Sequence, residues 1–517
     1  MNRSMQILLS VFTFLIPILI YAPSFHGTSL WDDQYFIFDR YYSHGYSYYF
    51  FWRNALWPLF ESTTLTLYNL FGTETFYWHL VNFILHILNG ILLGKVIKHF
   101  KPSLAIPLTV IFWVHPLCAL TVGWIVQLKT LMSFFFSLLA FYLLISRKVT
   151  KKTLLLSLLF FFLSVTSKSA TVMLPFMAFF FLILKKSWRH HVLTVLPFVL
   201  ISLLSLARMS FHDDLQLTIK NSEATISTLI ETPVESPVEV VTEQPTETPM
   251  IEPQAEPETP EVSLSTEVQP VPPETESIAT VETTAPDPMA IDEAELTQQI
   301  EAYNAPTKLK IIAYTSSYYL SAPWLPIDLS PIHSNYRGGY TTKNYFGFML
   351  VALCLGAMFW RKFTPIIFLM SQLIILTPFL GFIAAPFMTF SIVSEQHLYL
   401  ALPFAILAQL ILIQKIFKRH SSKVFFVFFI LLSGLTASYS PTFKNEENFY
   451  QRVLEVYPYD RLSALNLANH YFKSGRIRQA VFVLNKALQQ AEDMPYLKED
   501  VMHPYILKSY EQMSLLQ

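Results

Sequence analysis

Apolar segments long enough to cross a bilayer recur along almost the whole of this 517-residue chain, with short basic loops between alternate pairs. A transmembrane helix needs about 20 mostly apolar residues. Segments of that kind run over 6–22, 76–98, 103–120, 124–146, 153–167, 170–185, 191–209, 345–360, 364–383, 398–416 and 423–438. The pair 153–167 and 170–185 is short and also fits a re-entrant hairpin. Inside lipid a single segment satisfies its own backbone only as a helix. The expected fold class is therefore all-α, a polytopic helical membrane domain of about 11 spans. The first segment follows Arg3 but lacks a small-x-small cleavage site, so it reads as a retained helix rather than a signal peptide.

Basic residues orient these spans. Lys95, Lys98 and Lys101 share one loop; Arg147, Lys148, Lys151 and Lys152 share the next alternate one. Lys185, Lys186 and Arg189, then Arg361 and Lys362, then Lys415, Lys418, Arg419 and Lys423 continue the series. These loops are expected in the cytoplasm, with the N-terminus inside and the C-terminus outside. Only 14% of residues are charged, against roughly 25% in soluble domains. The net charge of −1 excludes a nucleic-acid binder built on bulk positive charge. Cys118 and Cys354 lie in apolar stretches without a CxxC motif, so they read as small buried hydrophobes.

Three outward parts are large. The first loop, 23–75, is rich in Tyr, Trp and Phe, as expected of chain in the headgroup region. With it, 1–211 forms an N-terminal membrane core. The insert 212–306 has no Lys, Arg or aromatic residue between Asn221 and Ile300 and repeats Pro, Thr, Glu and Val. Such composition cannot offset the entropy of folding, so it reads as a disordered acidic spacer, with ligand recognition as the alternative. A second membrane part spans 307–440, and a helical tail spans 441–517. In the tail, Ala468, Tyr471, Gly475, Ile477, Ala480, Leu484 and Ala487 follow the small/large pattern of a tetratricopeptide repeat. Tyr450, Val453 and Pro458 fit the end of a preceding one. Such a tail either caps the membrane domain or binds a protein partner.

Ionisable residues beside apolar segments are costly, which makes each a functional candidate. The first loop carries Trp31-Asp32-Asp33. Adjacent carboxylates can share a proton, hold a divalent cation or act as a general base; equally, they can cap a helix or lie in a solvated turn. His79, Asn82, His86 and Asn89 fall on one helical face, which must meet protein or a cavity. That stripe serves either interhelical hydrogen bonding or a substrate groove, and its histidines are too far apart to share one metal ion. Asp32, Asp33, Arg40, Arg53, Glu61, His115, Lys129, Lys168, Glu395 and His397 all fall at the outward ends of spans. Snorkelling explains any one of them; together they suit an anionic, membrane-resident substrate.

The combination resembles the polytopic GT-C glycosyltransferases, specifically O-mannosyltransferase-like membrane proteins with C-terminal tetratricopeptide repeats. The resemblance rests on Trp31-Asp32-Asp33, Trp78-His79-Leu80-Val81-Asn82 with His86 and Asn89, and His115-Pro116. It continues through Trp124-Ile125-Val126-Gln127, Ser167-Lys168 with Pro175, and Glu395 with Leu398-Tyr399-Leu400. It implies an enzyme that moves a sugar from a polyprenyl-phosphate donor to a protein or glycan acceptor outside a bacterial inner membrane. Asp32 or Asp33 would act as base on the acceptor hydroxyl. Arg53, Lys129 and Lys168 would hold the donor phosphate, His79 and His115 would line the groove, and Glu395 and His397 would complete the substrate site. The resemblance fixes no cofactor, and Asp32 and Asp33 would suit a divalent cation. The chain departs from the family at Ser169, where many relatives have an acid, and at Leu128 and Gln396, where they often have Arg. A membrane scaffold that binds partners through its tail is the competing expectation.

Overall fold

A computed structural model describes residues 3–31, 33, 37–38, 46–146, 150–176, 178, 188–210, 305–333, 342–357, 364–382, 391–493 and 502–515. The acidic insert 212–306, apart from 305–306, lies outside the described residues, as do Asp32 and Arg40. The described chain is helical throughout, with no strand. Its helices are α1 (Arg3–Phe25), α2 (Tyr48–Asn54), α3 (Pro58–Phe71), α4 (Thr75–Lys98), α5 (Pro102–Trp113), α6 (Ala119–Gly123), α7 (Leu128–Ser146), α8 (Lys151–Ser167) and α9 (Trp188–Ser210). There follow α10 (Ala305–Ser321), α11 (Thr342–Ala357), α12 (Thr364–Leu376), α13 (Glu395–Phe417), α14 (Ser421–Tyr439), α15 (Glu446–Val456), α16 (Arg461–Lys473), α17 (Ile477–Asp493) and α18 (Met502–Ser514).

Three helical stretches are long and apolar enough to cross a membrane: Thr75–Lys98, Ile125–Ile145 and Glu395–Phe443. The bent pair Pro102–Trp113 and Pro116–Gly123 adds a fourth if it counts as one span. Shorter apolar helices cover Phe14–Phe25, Leu193–Arg208, Asn344–Leu353 and Pro365–Phe379. The 49-residue run Glu395–Phe443 is two helices folded back on each other rather than one straight rod. Lys418 takes a left-handed φ of 43° between α13 and α14, and Tyr439 at the end of α14 donates to Glu395 at the start of α13 (3.0 Å). The chain therefore doubles back at the basic turn.

Pairings along the bundle place three of the basic turns at one end. Close approaches of Gly90 to Trp113 and of Gly94 to Thr109 and Ala105 make α4 and α5 antiparallel. Gly90 and Gly94 form a GxxxG stripe, the small-residue pattern that lets membrane helices meet closely. A Cβ on Gly94 would come within 2.2 Å of the Thr109 hydroxyl. Asn82 donates to Trp124 O (3.0 Å) and Asn89 to Leu131 O (3.1 Å), so α7 runs parallel to α4. Ser164 bonds Ser133 O (2.7 Å) and Ser157 bonds Ala140 O (2.7 Å), so α8 returns antiparallel. Lys95 and Lys98, Lys101, Lys151 and Lys152, and Lys415 and Lys418 thus share one end. Asp33 and the lysine and histidine candidates belong to the other.

The expected helix 103–120 is broken, with its two parts at 58°. Proline explains the position. Pro116 has no N–H to give to Phe112 O, and its ring drives His115 into extended backbone (φ −77°, ψ 129°). Three carbonyls at the break find partners beyond their own helix. Phe112 O keeps a long contact from His115 N (3.5 Å) and accepts from the Cys118 thiol (3.4 Å). Trp113 O accepts from His86 Nε2 (3.2 Å), and Val114 O from the Thr436 hydroxyl (2.6 Å). A carbonyl only accepts, so the His86 proton sits on Nε2 and Nδ1 takes the Tyr399 hydroxyl proton (2.9 Å). Asn89 in turn donates to the Tyr399 oxygen (3.3 Å). For Asn82, His86 and Asn89, the polar stripe therefore makes interhelical hydrogen bonds.

The tail begins at the candidate end. The Asp460 carboxylate caps α16 by accepting from Ser463 N (2.7 Å). At the other end of α16, Gly475 adopts φ 74°, while Arg476 N bonds Tyr471 O (2.8 Å) and Gly475 N bonds Phe472 O (2.9 Å). That is a Schellman closure, and it turns the chain into α17. Arg476 then reaches back to Glu447 on α15 (2.9 Å), which also accepts from the Tyr471 hydroxyl (3.2 Å).

Two outcomes follow. Removing the donors at the break by His86→Ala or Thr436→Val leaves a buried carbonyl unpaired, at a cost of about 1–3 kcal/mol. His86→Ala should cost more, because it also frees Tyr399; unfolding midpoints in detergent micelles measure this, and two unchanged midpoints would refute it. In the tail, the hydrogen bond from Arg476 holds the Glu447 carboxyl below its usual range. A depressed carboxylate stabilises the fold above its ordinary pKa, and that contribution is lost as pH falls through the lower folded value. Circular dichroism of the tail signal on acidification should show this loss, and Arg476→Gln should remove that part of the pH dependence.

Candidate functional site

The site is organised around the short segment 124–130. Trp31 precedes the aspartate pair with a left-handed φ of 42°, a conformation that costs an L-residue about 1–2 kcal/mol. Its ring is held by stacking on Trp124 (centroids 5.9 Å, 13°) and by an edge contact with Phe449 of α15 (6.2 Å). Asp33 is fully buried. Its Oδ2 accepts from Leu30 N (3.0 Å) and its Oδ1 from Val126 N (2.8 Å). One oxygen thus closes its own turn, and the other caps the 3₁₀ turn Ile125–Gln127. Asp33 pins the first loop to the segment that leads into α7.

Lys168 bonds to that segment, and Lys129 belongs to it. The Lys168 ammonium donates to the Thr130 hydroxyl (2.8 Å), which donates to Gln127 Oε1 (2.8 Å). Lys168 itself is only 6% exposed. The Lys129 ammonium sits over the rings of Trp57 (4.9 Å) and Phe60 (5.7 Å), a cation–π placement. Trp57 Nε1 donates to Ser169 Oγ (3.2 Å), so Ser169 orients the ring beneath Lys129. Both ammonium groups lie close enough to His397 to act on it electrostatically. The His397 ring stacks on Phe379 (3.8 Å, 7°), and its Nδ1 meets the Tyr319 hydroxyl (3.2 Å). Two buried or half-buried ammonium groups that both act on one buried imidazole concentrate positive charge at this end, a setting suited to an anion.

Glu395, two residues before His397, faces a different cluster. Its Oε1 accepts from Ser330 N (3.0 Å) and lies 3.4 Å from His333 Nε2, while Oε2 accepts from the Tyr439 hydroxyl (3.0 Å). The other ring nitrogen of His333 meets the Tyr457 hydroxyl (2.7 Å), and Tyr318 approaches Nε2 (3.0 Å). His333, Tyr318, Tyr439 and Tyr457 carry no sequence pattern that links them. His333 and Tyr457 are 124 positions apart and meet only through packing.

The remaining candidates do not join either group. Arg53 is exposed on the last turn of α2, where Arg208 of α9 bonds the Ala55 carbonyl (2.7 Å). Glu61 is buried in the first turn of α3. His79 is buried against the backbone of Gly27 and Thr28, without a well-formed hydrogen bond to either ring nitrogen among the described residues. His115 Nδ1 accepts from Leu117 N (3.3 Å) and so caps the turn after the helix break. Among the described residues, no three His, Cys, Asp or Glu side chains are grouped to hold a metal ion.

Asp33→Asn would turn one acceptor into an amide N–H facing a backbone N–H. The expected result is a loss of about 1–3 kcal/mol in stability, read as a lowered unfolding midpoint in micelles. An unchanged midpoint would show that the two backbone bonds do not hold the loop. No protein-family model, no curated protein and no solved structure matches this chain.

Proposed function

We propose that this chain is a GT-C-like membrane glycosyltransferase that takes a sugar from a polyprenyl-phosphate donor at the outer face of a bacterial inner membrane. The observation that carries the reading is the electrostatic reach of Lys129 and Lys168 on buried His397 at the bundle end opposite the basic turns. The same short segment that supplies Lys129 also holds Asp33. A lipid phosphate reaches protein at the bilayer edge, and its departure as an anion calls for fixed positive charge in a site shielded from water. In the reaction, the acceptor hydroxyl oxygen bonds the anomeric carbon, the bond from that carbon to phosphate breaks, and polyprenyl phosphate leaves. The hydroxyl proton goes to a carboxylate. Because both oxygens of Asp33 accept backbone N–H groups, the base role falls to Asp32 and Asp33 becomes its support.

In this reading the eleven apolar segments are spans, the N-terminus is cytoplasmic, and the tail is a periplasmic tetratricopeptide-like array. The Schellman turn at Gly475 and the small residues at 468, 480 and 487 support that view of the tail. The acceptor is a protein or glycan. A non-catalytic scaffold is the second reading, favoured by the absence of Arg at positions 128 and 396. Asp32→Asn separates the two. General-base removal should lower sugar transfer from a polyprenyl-phosphate donor by about a hundredfold or more, with the unfolding midpoint kept. Transfer that is unaffected by Asp32→Asn would sink the assignment. Under the scaffold reading, removing residues after Asp460 would abolish function while Asp32→Asn stays silent.

A further inference from the structure

The cluster around His333 joins four separate pieces of chain in one buried network. Ser330 and His333 follow α10, Glu395 opens α13, Tyr439 closes α14, and Tyr457 follows the first tail helix. Glu395 and His333 are fully buried. Ser330 N and the Tyr439 hydroxyl donate to the carboxylate, and His333 Nε2 faces it at 3.4 Å. With the His333 proton on Nε2, shared between the Tyr318 hydroxyl (3.0 Å) and Glu395 Oε1 (3.4 Å), its Nδ1 accepts the Tyr457 hydroxyl proton at 2.7 Å. A directed chain therefore runs from the tail to the imidazole and on to the first residue of α13.

That residue stands two positions before His397. The same helix start receives a second bond from this side, from Ser394 N to the Tyr319 hydroxyl (3.1 Å), and that hydroxyl also meets His397 Nδ1. The tail is fastened at two further points. Arg452 Nε donates to Leu329 O (2.9 Å), and the Phe449 ring meets Trp124 edge-on (5.6 Å). The segment Phe449–Tyr457 thus clamps both sides of the anion-suited cluster. On one side it reaches the 124–130 segment through Trp124, and on the other the start of α13 through His333.

We propose that His333 is a positioning residue, which transmits docking of the tail segment Phe449–Tyr457 to the first turn of α13 and so sets His397 relative to Lys129 and Lys168. The inference rests on the function proposed above. It makes the tail part of the donor site, and it predicts that a single hydroxyl on Tyr457 matters to donor binding.

Tyr457→Phe removes that hydroxyl and keeps the ring; Tyr459→Phe, on an exposed neighbouring tyrosine, is the control. His333→Phe removes the whole link. Two readouts apply to the full-length protein in nanodiscs. Amide hydrogen exchange over residues 394–400 should speed up about tenfold in Tyr457→Phe and His333→Phe, with α4 and α7 unchanged; tenfold corresponds to about 1.4 kcal/mol. Exchange that matches wild type overturns the coupling whatever the enzyme does. The KM for a polyprenyl-phosphate-linked sugar should rise about fivefold or more, whereas loss of folded protein would lower kcat at constant KM. Faster exchange with an unchanged KM overturns the positioning role. A wild type that neither binds polyprenyl phosphate nor transfers sugar brings down the proposed function and this inference with it, a result distinct from the other two.

Discussion

The break at Val114–Pro116 is the constraint on which the bundle depends. A membrane helix cannot leave carbonyls bare, because no water reaches them. Here the missing proline N–H is compensated by side chains of three different segments: His86 of α4, Cys118 after the turn and Thr436 of α14. Each donor belongs to a helix that must then sit within bonding distance of the break. Through its other nitrogen His86 also fixes Tyr399, and so α13. The proline thereby sets the relative positions of α4, α5, α13 and α14, the helices whose ends carry His79, His115, Glu395 and Tyr439.

The same bend turns the chain toward the site. After it, 119–127 passes beneath the first loop, meets Asp33 and enters α7 with Lys129 on its first turn. A straight helix over 103–120 would leave the Asp33 carboxylate without Val126 N. The fold's local defect and the grouping of charged side chains share one cause. Packing near the bend is tight enough to hold it: Gly123 lies where a Cβ would meet Phe443 at 2.6 Å.

Much of this was legible in the sequence, for identifiable reasons. Long apolar runs and basic turns mark helix ends whatever the tertiary structure, so the helices and the shared end of the basic residues follow directly. Lys129, Lys168 and His397 were also recognisable, because charge beside apolar chain is costly enough to stand out. The break was foreshadowed by Pro116, but its angle depends on which side chains fill the gap. What stayed hidden was pairing. Nothing in the sequence says that Asp33 would spend both oxygens on backbone amides. His333 gave no signal because it sits in a loop without period, and its partners lie far along the chain. The GxxxG stripe at Gly90 and Gly94 was a readable signal that the apolar pattern around it obscured.

The tail changes meaning once its first helix is seen in place. By composition 441–517 looks like a separable array, but α15 contributes Phe449, Arg452 and Tyr457 to contacts with the bundle. The physical boundary therefore falls near Asp460, where a capped helix starts anew. A deletion from Phe449 onward would strip the Trp31–Trp124 stack of its edge partner and leave His333 Nδ1 without the Tyr457 hydroxyl. It would damage the candidate site and the repeat together, so its phenotype could not distinguish an enzyme from a scaffold. A cut after Asp460 leaves those contacts whole and asks only what α16, α17 and α18 do.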